Sequence, residues 1–355
     1  MSDTSRPASP VLVSAHKIGI VGLGLIGGSI ARRLVEHQRF VVAWNHHPGV
    51  YEAAEQAGIH CVDTLEQLVE GKPDVLILAV PLESMKSVLE QIAPHLHRGT
   101  TLTDVGSVKG PVRALVAEAG LSDYYVGAHP MAGNELSGFE ASSADLLDGA
   151  LWAITFDRGT DFSRFLTVAD VVTKGLENTA IVIDDETHDR AAALISHMPH
   201  VVSTALANEL VEGQFADPAV ALALSAGSWR DMSRVSLTDP EKTRAMVELD
   251  ADNVAQLLDS MSERLAQEAR NLRGEESGNA QDFAQSRRFF EAGAPFRAYK
   301  AREAKRTTDE QVRHLTDEGW KSELLASAKA GERIVEFRTT HELRVELHPL
   351  DSHDQ

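Results

Sequence analysis

The sequence predicts a doubly wound α/β domain followed by an all-α domain. Three observations carry this. Short apolar runs alternate with helical segments from residue 17 to about residue 184. One of them, DVLILAV (74–80), is apolar almost throughout, as in a strand covered on both faces of a parallel sheet. Beyond residue 185 the alternation stops, and apolar residues recur at steps of three to five, the spacing of amphipathic helices.

The elements follow in order. Residues 1–14, MSDTSRPASPVLVS, lack a basic start and a long apolar stretch. They read as a disordered tail rather than a signal peptide. KIGIV (17–21) is the first strand, and GLGLIGGSIARRLVEH turns through glycines into a helix. FVVAWN (40–45) is the second strand, with a helical stretch to Gly58. DVLILAV ends at Pro81, and a helix covers roughly 83–96. TLTDVGS (101–107) is a strand leading into a loop; YYVGAH (124–129) and LWAITF (151–156) are further strands. With TAIVIDD (179–185) the alternation ends, so residues 15–184 form the first domain.

Residues 187–212 read as one long helix with Pro199 inside it. An interior proline costs about 3 kcal/mol and frees the carbonyl four residues back, here that of Ile195, so a kink is expected. Asp217-Pro218 and Asp239-Pro240 each pair a capping residue with proline at the first helical position. The second pair opens a helix with Met246, Leu249, Val254, Leu257, Met261 and Leu265 along its apolar face. Another helix covers 279–292. The helical domain is bounded at 185–320, and residues 321–355 are an extension of unassigned role, with 333–348 pairing as two strands.

Composition narrows the function. A formal charge of −19 argues against nucleic acid and anionic membranes as partners, so an anionic small molecule needs a local cationic patch. A single cysteine, Cys61, excludes an intrachain disulfide and suits a reducing, cytoplasmic compartment. No run of 18 apolar residues suggests a membrane span.

Gly22-x-Gly24-x-x-Gly27 lies between a strand and a helix. In that context the first glycine makes a tight turn and the second lets backbone approach a diphosphate. The third lets helix and strand pack closely, and the helix N-terminus faces the anion. This predicts a dinucleotide site; an ordinary glycine turn is the plainer alternative. A domain that binds NAD usually carries Asp or Glu at the end of the second strand, to hold the ribose 2′-hydroxyl. Here Asn45, His46 and His47 stand there, removing repulsion against a 2′-phosphate and offering donors. NADP is therefore preferred over NAD, against the alternative that Asn45 tolerates either.

Four stretches carry candidate chemistry. Ser107, in DVGSVKG, follows a strand at the carboxyl edge of the sheet, and reads either as a donor to a ligand or as a helix cap. His129, in GAHPMAG, also ends a strand on that edge. Pro130 holds it on extended backbone, and its ordinary pKa near 6.5 suits a general base. A structural histidine is the alternative. In SHMPH, Ser196 and His200 share a helix face and His197 lies within a turn of His200. With His188 and Asp189 they suggest a metal site, but no ligand spacing completes one, and no metal is expected. Arg230 and Arg234, four apart, suit bidentate grip of a carboxylate, unless Asp231 and Asp239 neutralise them on a solvated face.

Taken together, GLGLIGGS, DVGSVKG, GAHPMAG, HDRAAALISHMPH and GSWRDMSRVSLTDP, in that order between residue 17 and about 275, resemble the prephenate/arogenate dehydrogenase family of tyrosine biosynthesis. The resemblance implies a Rossmann-type domain with a dimerising helical domain, arranged as in the C-terminal part of 6-phosphogluconate dehydrogenase. It implies oxidative decarboxylation of a cyclohexadienyl acid by a homodimer. His129 matches the catalytic base, and Ser107 the serine that bonds the same hydroxyl and positions the cofactor. Arg234 matches the main carboxylate-binding arginine, with Arg230 as a second cation. Ser196, His197 and His200 match substrate contacts, and Glu135 an acidic residue that pairs with Arg234 and gates the pocket. Leu23, Leu25 and Ile26 of the glycine turn, with Val80 and Pro81, complete the cofactor contacts. Asn45 departs from NAD-using members, and the motifs lean toward arogenate with NADP. Two rivals remain open: another reductase of similar build, of β-hydroxyacid dehydrogenase or pyrroline-5-carboxylate reductase type, and a non-catalytic NADP-sensing module.

Overall fold

The computed structural model describes residues 14–134, 136–213, 217–274, 283–303 and 310–347. Strands β1 (Lys17–Val21), β2 (Phe40–Trp44), β3 (His60–Cys61), β4 (Val75–Leu78) and β5 (Thr101–Asp104) form an all-parallel sheet in the order β3-β2-β1-β4-β5. All four residues of β4 are buried because both sheet faces are covered. Val75 and Ile77 pack with helix Leu25–Glu36 on one face. Leu76 and Leu78 pack with Met85, Val88 and Leu89 of helix Leu82–Ile92 on the other. The alternation of strand side chains thus builds two cores from one short apolar run.

A second sheet continues the first. It comprises β6 (Gly127–Pro130), β7 (Leu151–Phe156), β8 (Thr179–Asp184), β9 (Glu310–His314), β10 (Glu332–Phe337) and β11 (Glu342–Leu347). Its order is β6-β7-β8-β10-β11-β9, and the pair β7–β8 alone among its pairs runs parallel. The Val126 N–H donates to the Leu102 carbonyl at 3.0 Å and bridges β5 to the start of β6. His129 therefore sits near the carboxyl end of a strand aligned with β5.

The expected pairing at the C-terminus forms as β10 and β11, but the boundary set at residue 320 differs from the chain's packing. Strand β9, Leu315 and Trp320 lie with the sheet, not with the helical half. Trp320 packs on Phe165 with ring centroids 5.0 Å apart, and on Phe162 at 4.9 Å. Residues 310–347 thus extend the sheet beyond β8 and bury its apolar face.

The helical half begins at Asp185–Ala192, widens into a π-helical stretch over Ala193–His197, and continues as Met198–Glu212. The proline is absorbed there. Met198 N–H donates to the Ala193 carbonyl, so the wider turn precedes the residue that has no N–H to give. The helix expected from Pro240 onward is two helices, Pro240–Leu249 and Ala251–Arg273, parted at Asp250 with φ −116°. Leu222, Leu224, Leu237, Leu265, Phe290 and Phe296 are all exposed on this half. Among the described residues no helix is long and apolar enough to cross a membrane.

Candidate active site

The glycine turn has three distinct geometries. Gly22 adopts φ +101°, and a Cβ there would meet the Ala79 carbonyl at 2.5 Å. A Cβ on Gly27 would meet the Gly22 carbonyl at 2.0 Å, because helix and strand touch. A Cβ on Gly24 would meet nothing within 4 Å. Gly24 thus presents bare backbone to open space at the start of helix Leu25–Glu36, whose first turn has no side-chain cap and no acidic residue. Leu23, Leu25 and Ile26 carry the chain across this turn, and Val80 lies beside Gly22, while Pro81 is exposed at the start of the helix after β4. The unpaired N–H groups and the dipole favour an anion here, so the loop fits a dinucleotide diphosphate.

Asn45 is more committed than its sequence position suggests. Its Oδ1 accepts from the Leu23 N–H at 2.8 Å, and its Nδ2 donates to the His47 carbonyl at 2.9 Å. It braces the glycine loop from the end of β2. His46 and His47 are exposed beside it, their ring centroids 4.7 Å apart.

Ser107 is half-buried and makes no hydrogen bond among the described residues. It does not cap the following helix, Gly110–Glu118. That role falls to Asp189, from the first helix of the helical half. Asp189 accepts from the Lys109 N–H at 2.7 Å and from the Gly110 N–H at 2.8 Å. Lys109 itself is fully buried, pairs with Asp104, and donates to the Ala128 carbonyl at 2.8 Å.

His129 lies between these groups. Its Nδ1 is 3.0 Å from Nε2 of His188, whose Nδ1 is 2.7 Å from Oδ1 of Asp189. Burial lowers the His129 pKa well below 6.5, and the neighbouring His188, Lys109 and His197 lower it further, so the ring is neutral around pH 7.

On the helical half, His197 is fully buried, with Nδ1 2.8 Å from Oδ2 of Asp250 and, among the described residues, no partner for Nε2. His200 sits one turn on, with Nδ1 donating to the Val235 carbonyl at 3.1 Å. Burial lowers its pKa against the opposing pull of that carbonyl, and His197 and Arg234 press it down as well. Ser196 is half-buried at the end of the π-helical stretch.

Arg230 and Arg234 do not share one regular helix. The helix ends at Ser233, and Arg234 opens a 3₁₀ turn, Arg234–Leu237. Both are exposed, and among the described residues neither has an ion pair. Asp239, considered as their neutraliser, accepts from the N–H groups of Glu241 and Lys242 at the start of its own helix. Glu135 lies outside the described residues.

Sequence reasoning passed over three side chains that organise this site. His188 and Asp189, weighed as metal ligands, bond to each other. A His-Asp pair just after a helix start, beside a strand-end histidine, was the available signal. Asp250, a lone carboxylate inside an apolar helical period, was another.

The glycine loop at the edge of a doubly wound parallel sheet, followed by a helical half, defines a Rossmann-type nucleotide-binding protein. Residues 30–183 match the family model for the prephenate dehydrogenase nucleotide-binding domain, and residues 184–286 match that for its dimerization domain. The chain belongs to the prephenate dehydrogenase family. It is 33% identical over 229 residues to the prephenate dehydrogenase of Lactococcus lactis, covering 63% of this chain and 62% of that relative. It therefore spans a little under two thirds of that relative's length. A putative prephenate dehydrogenase from Corynebacterium glutamicum superposes with a TM-score of 0.76 at 29% identity, over 90% of this chain and 98% of that one. The prephenate dehydrogenase of Aquifex aeolicus, solved with hydroxyphenyl propionate and NAD+, gives 0.70 at 25% identity, over 79% and 98%.

Proposed function

We propose that this chain catalyses the oxidative decarboxylation of a cyclohexadienyl acid, arogenate or prephenate, in tyrosine biosynthesis, with NADP preferred over NAD. The observation that carries the reading is the contact of His129, at a strand end of the nucleotide sheet, with the helical half: its Nδ1 lies 3.0 Å from Nε2 of His188 on helix Asp185–Ala192. Burial keeps the His129 imidazole neutral, and Arg234, exposed on the helical half, has no ion pair among the described residues.

The residues divide the work as follows. Arg234 grips a substrate carboxylate, with Arg230 as a second cation and Glu135 as the acidic partner of Arg234. Ser196, His197 and His200 line the substrate between them. His129 takes the proton of the ring hydroxyl, and Ser107 holds the same oxygen. Gly22 to Gly27, with Val80 and Pro81, hold the dinucleotide, and Asn45, His46 and His47 face its ribose. When bound there, the nicotinamide supplies the acceptor for the hydride leaving the hydroxyl-bearing carbon. The ring carboxylate then departs as CO₂. Its electron pair passes into the ring, the oxygen regains a proton from His129, and the ring becomes aromatic. Cys61 takes no part: burial and Glu55 push its thiol up to about 11, so it is not a nucleophile. The exposed apolar face of the helical half supports a homodimer formed there. The protein works in the reducing cytoplasm.

Reduced-nucleotide absorbance tests the reading, with NADP or NAD and with arogenate or prephenate. Turnover is expected with at least one pair, and Arg234→Ala is expected chiefly to raise KM. No turnover with any of the four pairs overturns the proposal, as does activity confined to a β-hydroxyacid or a pyrroline carboxylate.

A further inference from the structure

His188 and Asp189 have no part in the chemistry just assigned, yet they touch its central group. A carboxylate can only accept, so the 2.7 Å contact to Asp189 fixes a proton on Nδ1 of His188. Asp189 stays ionised. Burial would raise its pKa, but the hydrogen bonds from His188 and from the N–H groups of Lys109 and Gly110 outweigh that and hold it below the ordinary value. With His188 neutral, its second nitrogen is a bare acceptor, and Nε2 takes the hydrogen bond from Nδ1 of His129 across 3.0 Å. That arrangement leaves His129 with its proton on Nδ1 and a lone pair on Nε2; a proton on Nε2 of His188 would reverse it, and nitrogen-15 spectra distinguish the two.

We propose that Asp189, acting through His188, fixes the tautomer and ring orientation of His129 and so presents Nε2 as the base. Both are positioning residues, and the inference rests on the reading of His129 as the base. The carboxylate does more than select a tautomer. It also holds the two N–H groups that follow the Ser107 loop, at 2.7 and 2.8 Å. One side chain of the helical half thus fixes both groups that face the reacting hydroxyl. Arg113, on the helix it caps, pairs with Asp185 on the helix it comes from, which braces the same junction. When His129 takes its proton, the imidazolium forms next to a neutral ring whose far side rests on an anion. The serine-protease triad uses the same logic with one imidazole fewer.

Nitrogen-15 spectra of histidine-labelled protein read the tautomer directly, with the His129 signal identified by its absence in His129→Asn. The wild type is expected to show a protonated Nδ1 and a bare Nε2. Asp189→Leu removes the acceptor that fixes the His188 proton, so His129 is expected to populate both tautomers and kcat to fall by roughly 10–10² while KM and dinucleotide affinity stay within about threefold. Should Asp189→Leu fail to fold through loss of the cap, His188→Ala decides, since it leaves the cap bonds intact. It is expected to abolish the single tautomer and to lower kcat by roughly 10–10². A wild-type ring with a bare Nδ1, or variants with unchanged kcat and tautomer, overturns the inference. A wild type with the expected tautomer but no turnover on any cyclohexadienyl acid ends the functional reading instead.

Discussion

The ammonium of Lys109 and the carboxylate of Asp104 meet with no exposure to solvent on either side chain. Burial lowers the Lys109 pKa, and Asp104 pulls it back up. Asp104 also receives the Tyr125 hydroxyl at 2.7 Å and the Gly106 N–H at 2.8 Å. Removing one partner strands a buried charge, which costs about 3–5 kcal/mol. Lys109→Met is expected to lower unfolding stability by that amount in urea titrations, and Asp104→Asn in the same chain to restore part of it. A loss below about 1 kcal/mol contradicts this.

The pH dependence follows from the depressed pKa of His129. Burial first, then His188, Lys109 and His197, disfavour its charged form. The base works when neutral, and its folded-state pKa lies below the ordinary 6.5. Activity is therefore expected to be flat from neutrality through pH 6.5 and to fall only as pH drops through the lowered value. The acid limb of kcat/KM, which reports the free enzyme, measures this. A limb centred above pH 6.5 contradicts it.

Coenzyme choice is expected to turn on Asn45. Asn45→Asp keeps an acceptor for the Leu23 N–H, the bond that braces the loop at 2.8 Å. It adds a negative charge where a 2′-phosphate would sit and an acceptor for a 2′-hydroxyl. The ratio of kcat/KM for NADP over NAD is expected to fall by about tenfold or more, equivalent to about 1.4 kcal/mol. An unchanged ratio removes Asn45 from the choice.

Two glycines of one motif are expected to fail differently. Gly27→Ala drives a methyl into the Gly22 carbonyl and the Ala79 Cβ, at 2.0 and 2.8 Å, and costs about 1–3 kcal/mol of stability. Gly24→Ala meets nothing within 4 Å, so the fold keeps its melting temperature while dinucleotide binding weakens. Calorimetry of both variants, with and without NADP, separates the two effects. Equal losses of stability contradict the assignment of the second glycine to ligand approach.

The sheet was legible because its signal is local. A continuous apolar run such as 74–80 and the glycines that follow 17–21 report strand and turn without reference to anything distant. In the candidate site only local backbone was legible, as in the extended conformation of His129 before Pro130. Asp189 gave no such sign, since its partners Lys109 and Gly110 lie about 80 residues away. The C-terminal strands were visible as a pair, but not their place. Joining β10 to β8 is a long-range choice made by Trp320, Phe337 and the apolar face they cover. Asp250 broke a helical period that looked continuous, because the carboxylate meets His197 from across the helical half.

The account depends most on His129. Steady-state kinetics of His129→Asn, on whichever cyclohexadienyl acid the wild type turns over, test it most directly. A general base contributes roughly 10²–10⁴ in rate, so kcat is expected to fall by that factor with KM within about threefold. A kcat equal to that of the wild type contradicts the account.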